Sequence, residues 1–298
     1  DLENYRKLIV KQLNGVFISG IETGFFDLVQ KLCIDLTYLI HFGFLPNKED
    51  YKGAYYFIDA VKMYSLNDTF VKKQINNLPG FYRRTMNYIK KNKNSGTMVA
   101  RWLENKSLSN ENIFMEFIHN ILGMAINWTN LTYGLILNHS KGVIGKLPRE
   151  KSIKMANLYE CIRFVLPVRF TGSHVKNNKL FNFPDDSNNM LIHDFKIYTH
   201  NEKYFGDNVD KFVPQRMMNL ETVKSGCPFK SKLKSNKFYE SPKGAKVVCG
   251  MELLEKDGYM GFGEGYRRCP GEHLSMIYLE ELWKKMDSLN YHVYLKNG

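Results

Sequence analysis

From Phe25 to Phe42 (FFDLVQKLCIDLTYLIHF) apolar residues recur at the spacing of one helix face, and Gly43 with Pro46 closes the run. A buried amphipathic helix is predicted there. A longer run follows Ser109, a helix-capping residue type with Glu111 behind it: from Ile113 to Leu137 apolar residues occupy most of the cylinder. This helix is expected to cross the interior. Glu116, His119, Asn120, Asn127 and Asn130 interrupt it too often for a membrane span, since each is costly in lipid. Residues Tyr51 to Asn94 mix Tyr and Phe with Lys and Asn, which predicts shorter helices with loops at Asn76–Gly80 and Asn92–Gly96. A further helix over Lys151–Phe164 stops before Pro167, with short strands expected at Val165–Phe170, Leu180–Phe183 and Phe195–Thr199. A long irregular stretch then runs to Gly265, and a last helix over Pro270–Ser288 carries proline in its first turn. The pattern is that of a mainly α fold with a small β component.

Composition narrows this picture. A chain of 298 residues with 44% hydrophobic and 14% aromatic residues can bury a sizeable core around an apolar cavity, and one domain over 1–298 is favoured over two. The chain opens on Asp1 with no signal-peptide pattern, which leaves a fragment as one reading. Five cysteines, an odd count without a CxxC pair, argue against a disulfide framework or a zinc ribbon and fit an intracellular, reducing compartment. The net charge of +12 admits an acidic electron-transfer partner, an anionic membrane surface or nucleic acid. Lys and Asn are spread along the whole chain, as in Lys90–Asn94 (KKNKN), so the favoured reading is a solvated basic surface. No basic stripe interleaved with aromatics accompanies the charge, and nucleic-acid binding is not expected. The eight histidines show no HExxH or similar spacing.

The candidate chemistry lies near the C-terminus. Gly261–Leu274 reads GFGEGYRRCPGEHL, one cysteine between two glycines, with Arg267 two residues before it and a helix after it. Amides and dipole at a helix N-terminus favour a thiolate, so Cys269 is the candidate metal ligand. Gly265 and Gly271 let the backbone turn and approach a flat group closely. Phe262 is placed to shield the sulfur, and Arg267 offers a fork of donors suited to a carboxylate.

Phe262, Gly265, Arg267, Cys269 and Gly271 fill all five fixed positions of the heme-binding loop of the cytochrome P450 family, which this segment resembles. The resemblance implies a b-type heme (iron protoporphyrin IX), with Cys269 as axial ligand and Arg267 toward a propionate. It extends to Glu160–Arg163, an ExxR on the helix before Pro167, and to Phe212–Arg216 (FVPQR), which implies a structural charge triad of Glu160, Arg163 and Arg216. Tyr5, Arg6 and Lys7 resemble the family's propionate-binding helix, although Leu2 stands where that helix has Trp; Arg6 is the implied contact. The resemblance covers nearly the whole chain from the family's helix C onward, so the N-terminal part of the fold is expected to be missing. The stretch 217–260 is longer than the family's meander and reads as a solvated insertion; its Lys-rich part, Lys224–Lys237, is also the place where an acidic redox partner would dock.

On the central helix the sequence departs from the family. Gly123 in register with Leu131, Thr132 and Tyr133 puts Ala125 and Ile126 where the family has an acid and a threonine that relay protons. Asn127 is then placed to orient a hydroperoxide, and Thr129 is a displaced relay residue if the register shifts by a turn; the bland reading has Asn127, Thr129 and Asn130 satisfying one another or water. The resemblance therefore implies first a monooxygenase acting on a hydrophobic small molecule, second a lipid-hydroperoxide isomerase or dehydratase that needs no electron donor, and third a truncated or degenerate heme-binding protein. Cytoplasmic and membrane-associated locations both remain open.

Overall fold

The computed structural model describes residues 2–18, 24–63, 75–92, 94–174, 190–218, 221–223, 253–255, 259, 261–262, 269 and 271–293. They form two compact units, Asp1–Gly142 with Ile277–Gly298, and Val143–Met276.

The first unit is helical. Its elements are α1 (Leu2–Val16), α2 (Phe25–Phe42), α3 (Lys48–Met63), α4 (Pro79–Lys91), α5 (Met98–Glu104), α6 (Asn110–Leu122), a π-helical segment (Gly123–Trp128) and α7 (Thr129–Ser140). The part of α11 (Glu272–Asp287) from Ile277 onward also belongs to it. Helix α2 has the predicted bounds. It ends because Gly43 adopts the left-handed conformation (φ 83°) and donates its N–H to Leu39 and Tyr38 carbonyls. Helix α2 packs against α1, α5, the π segment and α7, so twelve of its residues are buried, from Val29 to Phe42. That all-round burial explains why it carries few charges. Around its C-terminal end Tyr38, Phe42, Phe44, Tyr88 and Phe117 make edge-on ring contacts, with Phe42 and Phe117 4.7 Å apart. His41 sits fully buried between Trp102 and Phe117.

Ser109 caps α6, with a reciprocal bond to Asn112 completing a capping box. Helix α4 starts at Pro79, inside the expected Asn76–Gly80 loop, because proline suits a first helical turn. Buried Asp50 on α3 holds α4 by accepting from Arg84 (3.1 Å) and Tyr88 (3.0 Å).

The second unit contains α8 (Lys151–Val165), the hairpin β1 (Phe170–His174) and β2 (Met190–Asp194), α9 (Phe195–Thr199), α10 (Glu202–Phe205) and a 3-10 turn (Pro214–Met217). A second antiparallel pair joins β3 (Glu221–Val223) to β4 (Leu253–Glu255), with Glu221 opposite Glu255. In the hairpin Phe170 lies opposite Asp194 and His174 opposite Met190. Two strand expectations are corrected. Phe195–Thr199 is helical, because the Asp194 side chain caps it by accepting from the Lys196 N–H. Of Val165–Phe170 only Phe170 is in a strand, since Val165 ends α8 and Leu166 turns left-handed (φ 47°). Leu180–Phe183, Pro270 and most of 217–260 lie outside the described residues.

Candidate functional site

Cys269 is solvent-exposed and stands just before α11, the carbonyl of Cys269 accepting from the Glu272 N–H (3.3 Å). Its own N–H donates to the Phe262 carbonyl (2.7 Å), which ties the two ends of the loop together. A β-carbon added at Gly271 would rest 3.6 Å from the Cys269 sulfur, so the sulfur lies directly against the bare glycine. Gly261 is needed for closeness: a β-carbon there would come within 2.7 Å of the Ile162 methyl on α8.

Tyr159, on α8, braces this loop. Its hydroxyl donates to Glu272 (2.8 Å), its ring meets Tyr259 (5.5 Å) and Phe262 (6.4 Å) edge-on, and its carbonyl accepts from the Tyr259 hydroxyl (3.4 Å). Tyr159 carries no motif of its own; the only sequence signal is its place beside Glu160. Cys33 and Cys161 contrast with Cys269. Both are fully buried, and burial pushes both thiols up, Cys33 to about 12. Of these three cysteines, Cys269 alone is exposed. Gly265 and Arg267 lie outside the described residues.

Behind the loop, on the same helix as Tyr159, the expected charge triad is assembled. Fully buried Glu160 accepts from Nε and Nη2 of fully buried Arg163, both at 2.7 Å, and from the Val213 N–H (2.9 Å). Arg163 spends its remaining donors on the carbonyls of Thr199, Val209 and Lys211. Arg216 Nε lies 3.5 Å from Glu160, and its two terminal nitrogens donate to Phe205 and Asn208 carbonyls at 2.7 Å. Burial lowers the Arg216 pKa, with Arg163 adding to the effect and Glu160 opposing it. This cluster fixes the chain between α8 and the 3-10 turn.

In the first unit the central helix widens to π geometry over Gly123–Trp128, which includes Ala125, Ile126 and Asn127. π segments often mark functional positions. Here the widening is braced by side chains. Trp128 stacks on Tyr278 of α11, 4.2 Å between centroids and 8° from parallel, and the Tyr278 hydroxyl meets that of Thr132 at 2.6 Å. The Thr132 hydroxyl also lies 2.6 Å from the Trp128 carbonyl. Ala125 and Thr129 are buried, and the Thr129 hydroxyl donates back to the Ala125 carbonyl (2.6 Å). Asn127 is half-buried, and its side-chain amide has no hydrogen-bond partner among the described residues. At the other end of α11, the Arg6 guanidinium is engaged by Glu280 and Glu281, while Lys284 pairs with the same two carboxylates.

No protein-family profile matches this sequence, and no curated protein matches it. Solved structures do match. The chain aligns with a cytochrome P450 from Thermus thermophilus at 16% identity and a TM-score of 0.57, covering 95% of this chain and 65% of that one. Cytochrome P450-153 from Novosphingobium aromaticivorans aligns at 17% identity and 0.59, covering 96% and 62%. A cyanobacterial cytochrome P450 solved with retinoic acid aligns at 12% and 0.62, covering 96% and 67%. The chain has a cytochrome P450-like fold.

It spans about two thirds of the length of these P450 structures. The residues present fit the heme that the P450 fold implies. A thiolate ligand has to be reachable, and Cys269 is exposed; a flat macrocycle needs bare backbone beside the sulfur, and Gly271 supplies it. Cys269, Phe262 and Gly271 are the described residues that would hold it. The charge triad that the sequence resemblance implies is assembled, whereas no acid and threonine pair stands at Ala125 and Ile126.

Proposed function

We propose that the protein is a heme-thiolate oxidoreductase of P450 type, with Cys269 as axial ligand to a b-type heme. The observation that carries this reading is the exposed Cys269 thiol, seated against Gly271 and closed onto Phe262 at the start of α11. When bound, such a heme supplies activation of oxygen or of a peroxide bond. The chain's part is to hold the thiolate in place through Tyr159 and Glu272, and to shape the apolar surroundings in which a hydrophobic small molecule reacts. The first reading is monooxygenation, which also requires an electron donor; an acidic partner would complement the net charge of +12.

A second reading is isomerisation or dehydration of a lipid hydroperoxide, and a specific observation favours it. Thr129 is the nearest hydroxyl to the family's relay position, and its proton is already committed to the Ala125 carbonyl. Ala125 and Ile126 hold no proton to give, so oxygen protonation has no side-chain relay at those positions. Asn127, with its amide unpaired among the described residues, is the group that would orient a hydroperoxide. Incubating the heme-loaded protein with fatty-acid hydroperoxide, with and without a reductase system, separates the two. Turnover without any electron donor, reduced by Asn127→Ala, supports the second reading; turnover strictly dependent on reductase and oxygen rejects it.

A further inference from the structure

Outside this site, three polar side chains of the first unit form an ordered chain at the ends of α7 and α11. His139 Nε2 lies 2.9 Å from Asp287 Oδ1, and the Tyr291 hydroxyl lies 2.8 Å from His139 Nδ1. The carboxylate accepts only, so Nε2 carries the hydrogen, and a neutral ring then presents Nδ1 as an acceptor to the Tyr291 O–H. The competing acceptor, the Ile136 carbonyl, is farther away at 3.5 Å. The two rings are 11° from parallel, and the His139 and Asp287 side chains are only 16% and 19% exposed, so water does little to disperse the arrangement. Phenol, base and carboxylate thus stand in sequence, as in catalytic triads where a third group orients the base.

We propose that Tyr291, His139 and Asp287 form a redox-active tyrosine site: Tyr291 yields one electron to a one-electron oxidant, such as an oxygen- or nitrogen-centred radical, as its proton passes to His139. The phenolic O–H bond breaks and an N–H bond forms at His139 Nδ1. The oxidant is reduced by one electron, leaving a neutral phenoxyl radical beside an imidazolium held by Asp287. A one-electron reductant such as a thiolate returns the electron and becomes a thiyl radical, and the proton moves back from His139 Nδ1 to the tyrosyl oxygen. Burial, with Asp287 adding to it, raises the Tyr291 pKa, so no standing phenolate is available as a nucleophile. A phenol that has lost an electron is strongly acidic, and a hydrogen-bonded base takes its proton without solvent. Other described phenols, those of Tyr51, Tyr88 and Tyr159, donate to carboxylates, whereas Tyr291 donates to an imidazole that a carboxylate backs; the placement does not depend on the heme assignment.

The test uses the protein as purified, oxidised by azide radicals from pulse radiolysis, with phenoxyl absorbance followed in time and the radical identified by freeze-quench paramagnetic resonance. The long-lived phenoxyl signal is expected to vanish in Tyr291→Phe, which keeps the ring. In His139→Gln its lifetime should fall by about tenfold, the worth of one charge-assisted hydrogen bond. Circular dichroism verifies that both variants are folded. An unchanged signal in Tyr291→Phe would overturn the assignment to Tyr291, and an unchanged lifetime in folded His139→Gln would overturn the proton transfer.

Discussion

Replacing Glu160 with Gln removes one negative charge from a place where water cannot compensate. Glu160 and Arg163 are both fully buried, joined by two bonds of 2.7 Å, and Arg216 lies 3.5 Å from the same carboxylate. The amide keeps the shape and one acceptor oxygen. It leaves two buried guanidinium groups facing each other without their shared counter-charge, and it turns an NH2 donor toward one of them. Breaking a buried pair by removing one partner costs about 3–5 kcal/mol, a large fraction of the roughly 5–15 kcal/mol that a domain holds. With a urea dependence of about 3 kcal/mol per molar, the midpoint should fall by roughly 1–2 M. Urea unfolding followed by far-UV circular dichroism measures this. A loss below about 1 kcal/mol, the range of exposed ion pairs, would refute the claim that the triad is a buried keystone of the second unit.

Other expected outcomes follow from the first unit. Burial pushes His41 down to about 4 from its ordinary 6.5, with the Thr37 hydrogen bond opposing. Its folded pKa is depressed, so its contribution is present above pH 6.5 and is lost as pH falls toward 4; the loss should reach about 3 kcal/mol. Denaturant titrations across that window should flatten in His41→Phe, and an equal slope in both proteins would contradict the assignment. Gly43→Ala forces a side chain into left-handed backbone and against Asn94, and should lower stability by about 1–2 kcal/mol in thermal or urea melts.

Legibility followed from how local each cause is. Helix α2 can be read to the residue because its apolar pattern and the Gly43 cap lie within one segment. The central helix is legible as a helix, but its π segment is not. The widening is braced by Trp128 stacking on Tyr278, 150 positions away by their numbers, and no local periodicity signals that partner. Phe195–Thr199 misleads because its alternating apolar residues suit a strand, while the Asp194 cap decides for a helix turn. Glu160 and Arg163 are visible only as an ordinary helical pair; resemblance marks them together with Arg216, and the structure brings the three together. The partners of Arg6 could not be read locally, since Glu280 and Glu281 reach it across 274 and 275 positions.

The heme-thiolate assignment rests on one sulfur. The carbon monoxide difference spectrum of the reduced, heme-loaded protein and of Cys269→Ala tests it most directly. A thiolate-type Soret band is expected in the parent, and it should disappear in Cys269→Ala while the variant stays folded. A parent without that band, or a variant that keeps it, would contradict the assignment of Cys269 as the heme ligand.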